Sequence, residues 1–231
     1  MCGRFSYGVS KSELELYVTN AFQISAVPDN LTIPRYNVAP SQKVLAVIHD
    51  GSRHRLGEIK WGYVPSYSTD ESVGYSMINA RAETIREKFA FQHAFKTRRC
   101  VVLADGFYEW DHHGKLKTPY RFTLKSPSLF AMAGLWSSHV KPDGSKHYTC
   151  TIITCEANEL LSSVHDRMPV IFDDETARAW LNPNEMNYDH LHQLLQPYPA
   201  NNMNKWEISS KINNPQCDDK ECVEPIKKSP N

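Results

Sequence analysis

Between residues 100 and 154 the chain carries strand signals almost without interruption, and this run limits the fold more than any other feature. Segments 100–103, 107–110, 120–124, 129–135 and 147–154 are rich in β-branched and aromatic residues that suit a pleated, half-buried surface. His113-Gly114 and Pro142-Asp143-Gly144 supply turns between them. Upstream, residues 43–49 and 53–61 read as two strands joined at Asp50-Gly51, a hairpin turn pair. The chain is therefore expected to be α+β: a mostly antiparallel, barrel-like sheet core with peripheral helices.

The helices announce themselves by local signals. Ser10-x-x-Glu13 is a capping-box pattern, and Leu14, Tyr17, Val18 and Phe22 follow at near-helical spacing, which predicts a helix over 11–22. Further helices are expected over 84–95, 156–164, 176–181 and 189–195, and short strands over 168–172 and 205–209. Prolines 28, 34 and 40 mark 24–42 as an ordered, extended loop, and the Ser/Thr/Tyr-rich stretch 63–75 as a surface loop. With no repeat and no Gly/Ser linker, one domain over 1–218 is expected, followed by a flexible, charged tail over 219–231.

Twenty-six basic residues balance twenty-six acidic ones, which argues against nucleic-acid binding by bulk charge and leaves room for a local basic groove. No apolar run approaches the roughly 18 residues of a membrane span. Lys11, Glu13 and Glu15 interrupt any signal-peptide core, so a cytoplasmic location is expected. The six cysteines contain no Cys-x-x-Cys pair, and reduced, mostly buried thiols are the simpler reading than a structural zinc site.

Cys2 carries the most distinctive chemistry. Removal of Met1 would leave an α-amine titrating near ~7.7–8.0 and a thiol near ~8.5 on one residue. The amine can condense with an aldehyde, and the thiol can close onto the imine as a five-membered thiazolidine. Alternatively the thiol attacks a carbonyl with the amine as base. An ordinary buried cysteine would look the same at this position.

Three further segments set polar groups in apolar surroundings. Asn79 lies in Asn79-Ala80-Arg81-Ala82-Glu83, where it either ties loop backbone or meets a substrate. Glu109 sits between Tyr108 and Trp110, where desolvation would raise its pKa and suit it to proton transfer, unless it pairs with an arginine. His165 ends a predicted helix and enters a strand, so helix-end stabilisation competes with a catalytic role.

The ordered set Met1-Cys2-Gly3-Arg4-Phe5, Arg35-Tyr36-Asn37-Val38-Ala39-Pro40-Ser41-Gln42, Trp61-Gly62, Asn79-Ala80-Arg81-Ala82-Glu83, Asp105-Gly106-Phe107-Tyr108-Glu109-Trp110, Ala133-Gly134-Leu135-Trp136 and His165-Asp166-Arg167-Met168-Pro169-Val170 closely resembles the SRAP family, the SOS response-associated peptidase-like proteins. The likeness covers 1–171 and weakens beyond about residue 185. It implies capture of abasic sites in single-stranded DNA by a thiazolidine link between Cys2 and the ring-opened deoxyribose, without cofactor or metal. By position, Asn79 would orient the amine or sugar, Glu109 would shuttle protons, and His165 would assist opening of the sugar ring. Arg4, Arg81, Arg98 and Arg167 would hold phosphates, and Trp61 would stack on or wedge against a base. Residues 81–99 add six Lys/Arg against two Glu.

The implied partner is single-stranded DNA with abasic sites, including single-strand/double-strand junctions, met by a monomer that is nucleoid-associated when bound. The chain departs from the family at Tyr63 and Tyr67, where a bulkier apolar or indole residue is frequent, and at Cys155, where threonine is common. The chief alternative is a cysteine-dependent (auto)peptidase using Cys2. A glutamine amidotransferase lacks support downstream, and a non-catalytic single-strand binder would keep its activity without Cys2.

Overall fold

The computed structural model describes residues 2–111, 117–140 and 144–226. The expected turns at His113-Gly114 and Pro142-Asp143 lie outside the described residues. The chain runs β1 (Phe5–Tyr7), α1 (Lys11–Phe22), β2 (Arg35–Val38), β3 (Lys43–His49) and β4 (His54–Trp61). It continues through β5 (Asn79–Arg81), α2 (Phe89–Thr97), β6 (Arg99–Ala104), β7 (Gly106–Asp111), β8 (Thr118–Leu124), β9 (Phe130–Val140) and β10 (Lys146–Glu156). The last third holds α3 (Glu159–Ser162), β11 (Arg167–Pro169), β12 (Ile171–Phe172), α4 (Asp174–Leu181), α5 (Tyr188–Gln193) and β13 (Met203–Glu207).

Where local chemistry is strong, sequence and structure coincide. Ser10 accepts from the Glu13 backbone N–H at 3.3 Å while the Glu13 carboxylate accepts from the Ser10 N–H at 2.7 Å, so α1 starts at the expected capping box. The helix buries Leu14, Val18, Ala21 and Phe22 and stops where Gln23 turns left-handed at φ 58°. The β3–β4 hairpin pairs in register from Lys43–Lys60 to His49–His54, with Asp50 accepting from the Ser52 and Arg53 amides at its tip.

Elsewhere tertiary packing moves boundaries. The helix expected over 84–95 divides into a 3₁₀ turn, Ala82–Thr84, and α2. Ile85 and Phe89 share helical spacing, yet Ile85 is buried while Phe89 is 74% exposed. Extended Lys88 separates them. The extended stretch 24–42 supplies β2, and Cys2-Gly3-Arg4 leads into β1, a strand that its length of three residues left unreadable.

Strands β10, β4, β3, β6 and β9 form a closed five-stranded barrel, because β9 pairs with β10 as well as with β6. All its contacts are antiparallel except β4–β10, and β5 also lies parallel on β10. A second sheet has the order β13-β8-β7-β1-β2, antiparallel throughout. The α+β, mostly antiparallel barrel is thus the observed architecture.

Gly134 shows how tightly the barrel wall is built. It lies between β6 and β10, and a Cβ there would meet the Thr151 carbonyl oxygen at 2.8 Å and Cys100 Sγ at 2.9 Å. The carbonyl belongs to a laddered strand and has no room to yield. Gly134→Ala is therefore expected to destabilise the protein by about 1–3 kcal/mol. Urea unfolding should show a lower midpoint with an unchanged m-value. An unchanged midpoint would mean that the strands separate at no cost.

The segment assigned on composition to a tail from residue 219 does not leave the protein there. Cys222 is fully buried, Trp206 donates its indole N–H to the Val223 carbonyl at 3.1 Å, and Ile208 bridges to Pro225. A few apolar groups thus hold 219–226 against the outer face of the second sheet, alongside Tyr108, Ile208 and Ile212. Charge-rich composition concealed them.

Candidate active site

β1 carries Cys2 to the site because two neighbours grip it. Its Phe5 lies opposite Phe107 on β7 and Val38 on β2, and Tyr108 donates its amide to the Arg4 carbonyl at 3.0 Å. Asp105 reinforces the join by accepting from the Ser6 hydroxyl at 2.5 Å and the Gly8 amide at 2.9 Å, with Arg121 at 3.0 Å balancing its charge.

The pleat of β7 then sorts its side chains. Phe107 belongs to the main core, whereas Tyr108 and Trp110 pack in the outer cluster with Ile208 and Ile212. Alternation puts Glu109 on the same face as Phe107, the side on which Cys2 is buried. Glu109 is only 3% exposed and its Oε1 has no hydrogen-bond partner among the described residues. Burial pushes its carboxyl up to about 7, opposed by the positive amino terminus and helped by Asp166. Cys2 is fully buried, and that burial, followed by the charge of Glu109, drives its thiol well above the usual cysteine range. Glu109 thus lies near enough for its charge to bear on the Cys2 thiol.

Asn79 comes from the barrel side. β5 lies on β10 with Asn79 opposite Ile152, and Asn79 Nδ2 donates weakly to the Ile152 carbonyl at 3.5 Å. Its buried Oδ1 has no partner among the described residues. Trp61 links this strand to β1: its indole N–H donates to the Ile78 carbonyl at 2.8 Å, and its ring packs on Phe5 with centroids 5.1 Å apart.

That placement corrects the expectation for Trp61. The ring is completely buried, so it offers no face to a base and serves as the prop between β1 and β5. Half-buried Arg4 is engaged by the protein itself, donating from Nη1 to Asn37 Oδ1 and to the Ile212 carbonyl, both at 2.6 Å, and lying over Trp110. It ties β1 to the C-terminal segment. An exposed aromatic pair, Tyr67 and Phe89, with centroids 5.2 Å apart, was not singled out for stacking in the sequence.

His165 follows α3 and precedes β11. Its Nδ1 accepts the Arg167 backbone N–H at 2.9 Å and lies 3.0 Å from Asp166 Oδ1. Since Asp166 also acts on Glu109, this loop faces the Cys2–Glu109 pair electrostatically. Asp166 is a neighbour that sequence reasoning overlooked, although it directly follows His165. Arg167 forks onto Glu83 at 2.7 and 2.9 Å and donates to the Thr154 carbonyl at 2.7 Å. Exposed Arg81 shares a cleft with Arg167 and Asp166, while Arg98 stacks over Trp136 at 5.0 Å and lines a separate groove with Tyr67 and Phe89. The cationic residues therefore fall on two surfaces.

Among the described residues no helix is long and apolar enough to cross a membrane. The family model described as SOS response associated peptidase (SRAP) matches residues 1–215. Abasic site processing protein YoqW of Bacillus subtilis (strain 168) is 46% identical over 226 residues, covering 97% of this chain and 99% of the relative. Abasic site processing protein HMCES of Xenopus tropicalis is 33% identical over 224 residues, covering 84% of this chain and 66% of its own. A crystal structure of a Bacteroides thetaiotaomicron protein superposes with a TM-score of 0.86 at 24% identity, over 97% of this chain and 100% of that one, a likeness of fold. The match across nearly the whole chain places the protein: it belongs to the SOS response associated peptidase (SRAP) family.

Proposed function

We propose that the protein captures abasic sites in single-stranded DNA by forming a thiazolidine between Cys2 and the ring-opened deoxyribose. The observation that carries this reading is Glu109, a buried carboxyl with an unpartnered oxygen and a pKa pushed up to about 7, beside Cys2. Its relatives' names, abasic site processing proteins, supply the substrate class. A group titrating near neutrality both accepts and returns protons at working pH.

The sequence of bonds is then defined. The ring-opened sugar presents an aldehyde, and the free Cys2 amine adds to it. Loss of water gives an imine. The Cys2 sulfur adds to the imine carbon, its proton passes to the imine nitrogen by way of Glu109, and the ring closes. One water leaves overall. Asn79 Oδ1, with no partner of its own, is an acceptor for the amine or a sugar hydroxyl. His165 assists opening of the furanose by proton transfer at its ring oxygen. Arg81, Arg98 and Arg167 hold phosphates, Arg167 at the expense of its fork to Glu83. Tyr67 and Phe89 offer bases the exposed π-faces that Trp61 does not.

The raised Cys2 thiol bears on the peptidase alternative. A cysteine peptidase works through a thiolate, favoured by a lowered thiol pKa, whereas burial here pushes the thiol up. Condensation starts at the amine and needs the sulfur only after the imine has formed.

The test uses protein confirmed by mass to lack Met1 and an oligonucleotide with one abasic site. A heat-stable adduct lighter than protein plus DNA by one water is expected on a denaturing gel and by intact mass. Absence of any adduct would overturn the reading, and turnover of an unrelated peptide by the same sample would put the peptidase in its place.

A further inference from the structure

The C-terminal segment brings together three ligand-bearing side chains that the proposed chemistry does not use. Cys217 Sγ and Cys222 Sγ lie 3.5 Å apart, Asp219 Oδ2 is 3.5 Å from Cys217 Sγ, and Asp219 Oδ1 is 3.7 Å from Cys222 Sγ. A tetrahedral zinc ion with Zn–S near ~2.3 Å and Zn–O near ~2.0 Å sets its ligand atoms roughly 3.8 Å apart for S–S and roughly 3.5 Å for S–O. The sulfurs stand about 0.3 Å closer than that, and each has one of the two Asp219 carboxylate oxygens near the required S–O separation. Among the described residues it is a group of two cysteines and one aspartate whose ligand atoms all lie within 4.8 Å of one another.

The triangle rests on a rigid base. Fully buried Asn37 on β2 donates from Nδ2 to the carbonyls of Cys217 at 2.7 Å and Asn214 at 2.9 Å. Asp218 accepts the Tyr36 and Asn37 amides at 2.5 and 2.8 Å and pairs with Arg35. The Cys222 amide donates to the Asp219 carbonyl at 3.1 Å, closing the loop on itself. Backbone and second-sheet contacts therefore hold all three ligand positions before any ion arrives, and Asp219 faces solvent, the route of entry.

We propose that Cys217, Asp219 and Cys222 form a binding site for a thiophilic divalent cation of the zinc class, with water as fourth ligand. Both thiols release their protons to solvent as the ion binds, so two thiolates and one carboxylate meet the 2+ charge. Bound, the ion clamps 217–222 onto β2. Asn37 and the Ile212 carbonyl also hold Arg4, so the clamp lies behind the strand that presents Cys2. The site is independent of abasic-site capture and stands or falls separately.

The test is titration of the reduced, full-length Cys2→Ala protein with cobalt(II), which removes the N-terminal aminothiol as a competing chelator. One equivalent should produce thiolate-to-cobalt charge-transfer absorption and tetrahedral ligand-field bands. Adding Cys217→Ser, at a half-exposed position, should abolish the charge-transfer band. Asp219→Asn should weaken binding about tenfold or more. Zinc should raise Tm by several degrees in Cys2→Ala and leave the Cys2→Ala/Cys217→Ser protein unmoved. Lack of a charge-transfer band in the reduced protein, or a band that survives Cys217→Ser with circular dichroism intact, would overturn the proposal.

Discussion

Glu109→Gln is expected to slow adduct formation by about 10²–10⁴-fold, the usual range for loss of a positioned acid–base group. The volume stays the same and the hydrogen-bonding shape nearly so, so the loss reports proton transfer. The pH profile should change with it. Burial pushes the Glu109 carboxyl up to about 7, so the wild-type rate should climb as pH rises through that value, when the carboxylate becomes available to take the proton of the attacking groups. The variant should lack that limb.

Stability should move the other way. The ordinary glutamate value is near ~4.3, and the folded protein raises it to about 7, so the folded state binds this proton more tightly than the unfolded chain. The contribution is fully present below about 4.3 and is lost as pH rises through about 7. Glu109→Gln, which never ionises, should therefore gain stability over wild type at pH 8, on the order of a few kcal/mol, and gain little at pH 4. Thermal unfolding at the two pH values reads this directly. A variant that crosslinks at the wild-type rate with the wild-type profile would remove Glu109 from the mechanism.

Loss of the heat-stable adduct should be complete when the Cys2 sulfur is removed. Cys2→Ala and Cys2→Ser both keep a free amine after Met1 removal, so each should form a hydrolysable imine that becomes a permanent adduct only when borohydride is present. A form that retains Met1 carries an amide at Cys2 and should resemble neither variant in its Cys2 chemistry. Wild type alone should give the adduct without reductant. A heat-stable, reductant-independent product from Cys2→Ala would show that the sulfur takes no part in the link.

How much of this was legible in the sequence depends on whether the deciding interaction was local. The α1 boundaries coincide with those expected because the Ser10–Glu13 box and the apolar spacing are interactions across one or two turns. The β3–β4 hairpin was legible for the same reason, its turn chemistry lying within Asp50 to Arg53. Helix α2 was misjudged at its start because Ile85 and Phe89 differ only in what the rest of the protein places against them. Residues 219–226 were read as tail because three or four apolar groups among charges carry little weight until Trp206 and Tyr108 cover them.

The site divides in the same way. The sequence by itself determined that an aminothiol can exist at residue 2, that a carboxyl flanked by Tyr108 and Trp110 would be desolvated, and that the family order of motifs runs through Asn79 and His165. Only the tertiary structure decided that Glu109 is buried on the side of its strand where Cys2 lies, that Trp61 is buried between β1 and β5, that Arg4 ties β1 to the C-terminal segment, and that Cys217, Asp219 and Cys222 meet. The physical reason is that residue type fixes which chemistry is available, whereas burial and pairing depend on contacts between segments far apart in the chain, such as β1 with β7 and β2 with residues 212–222.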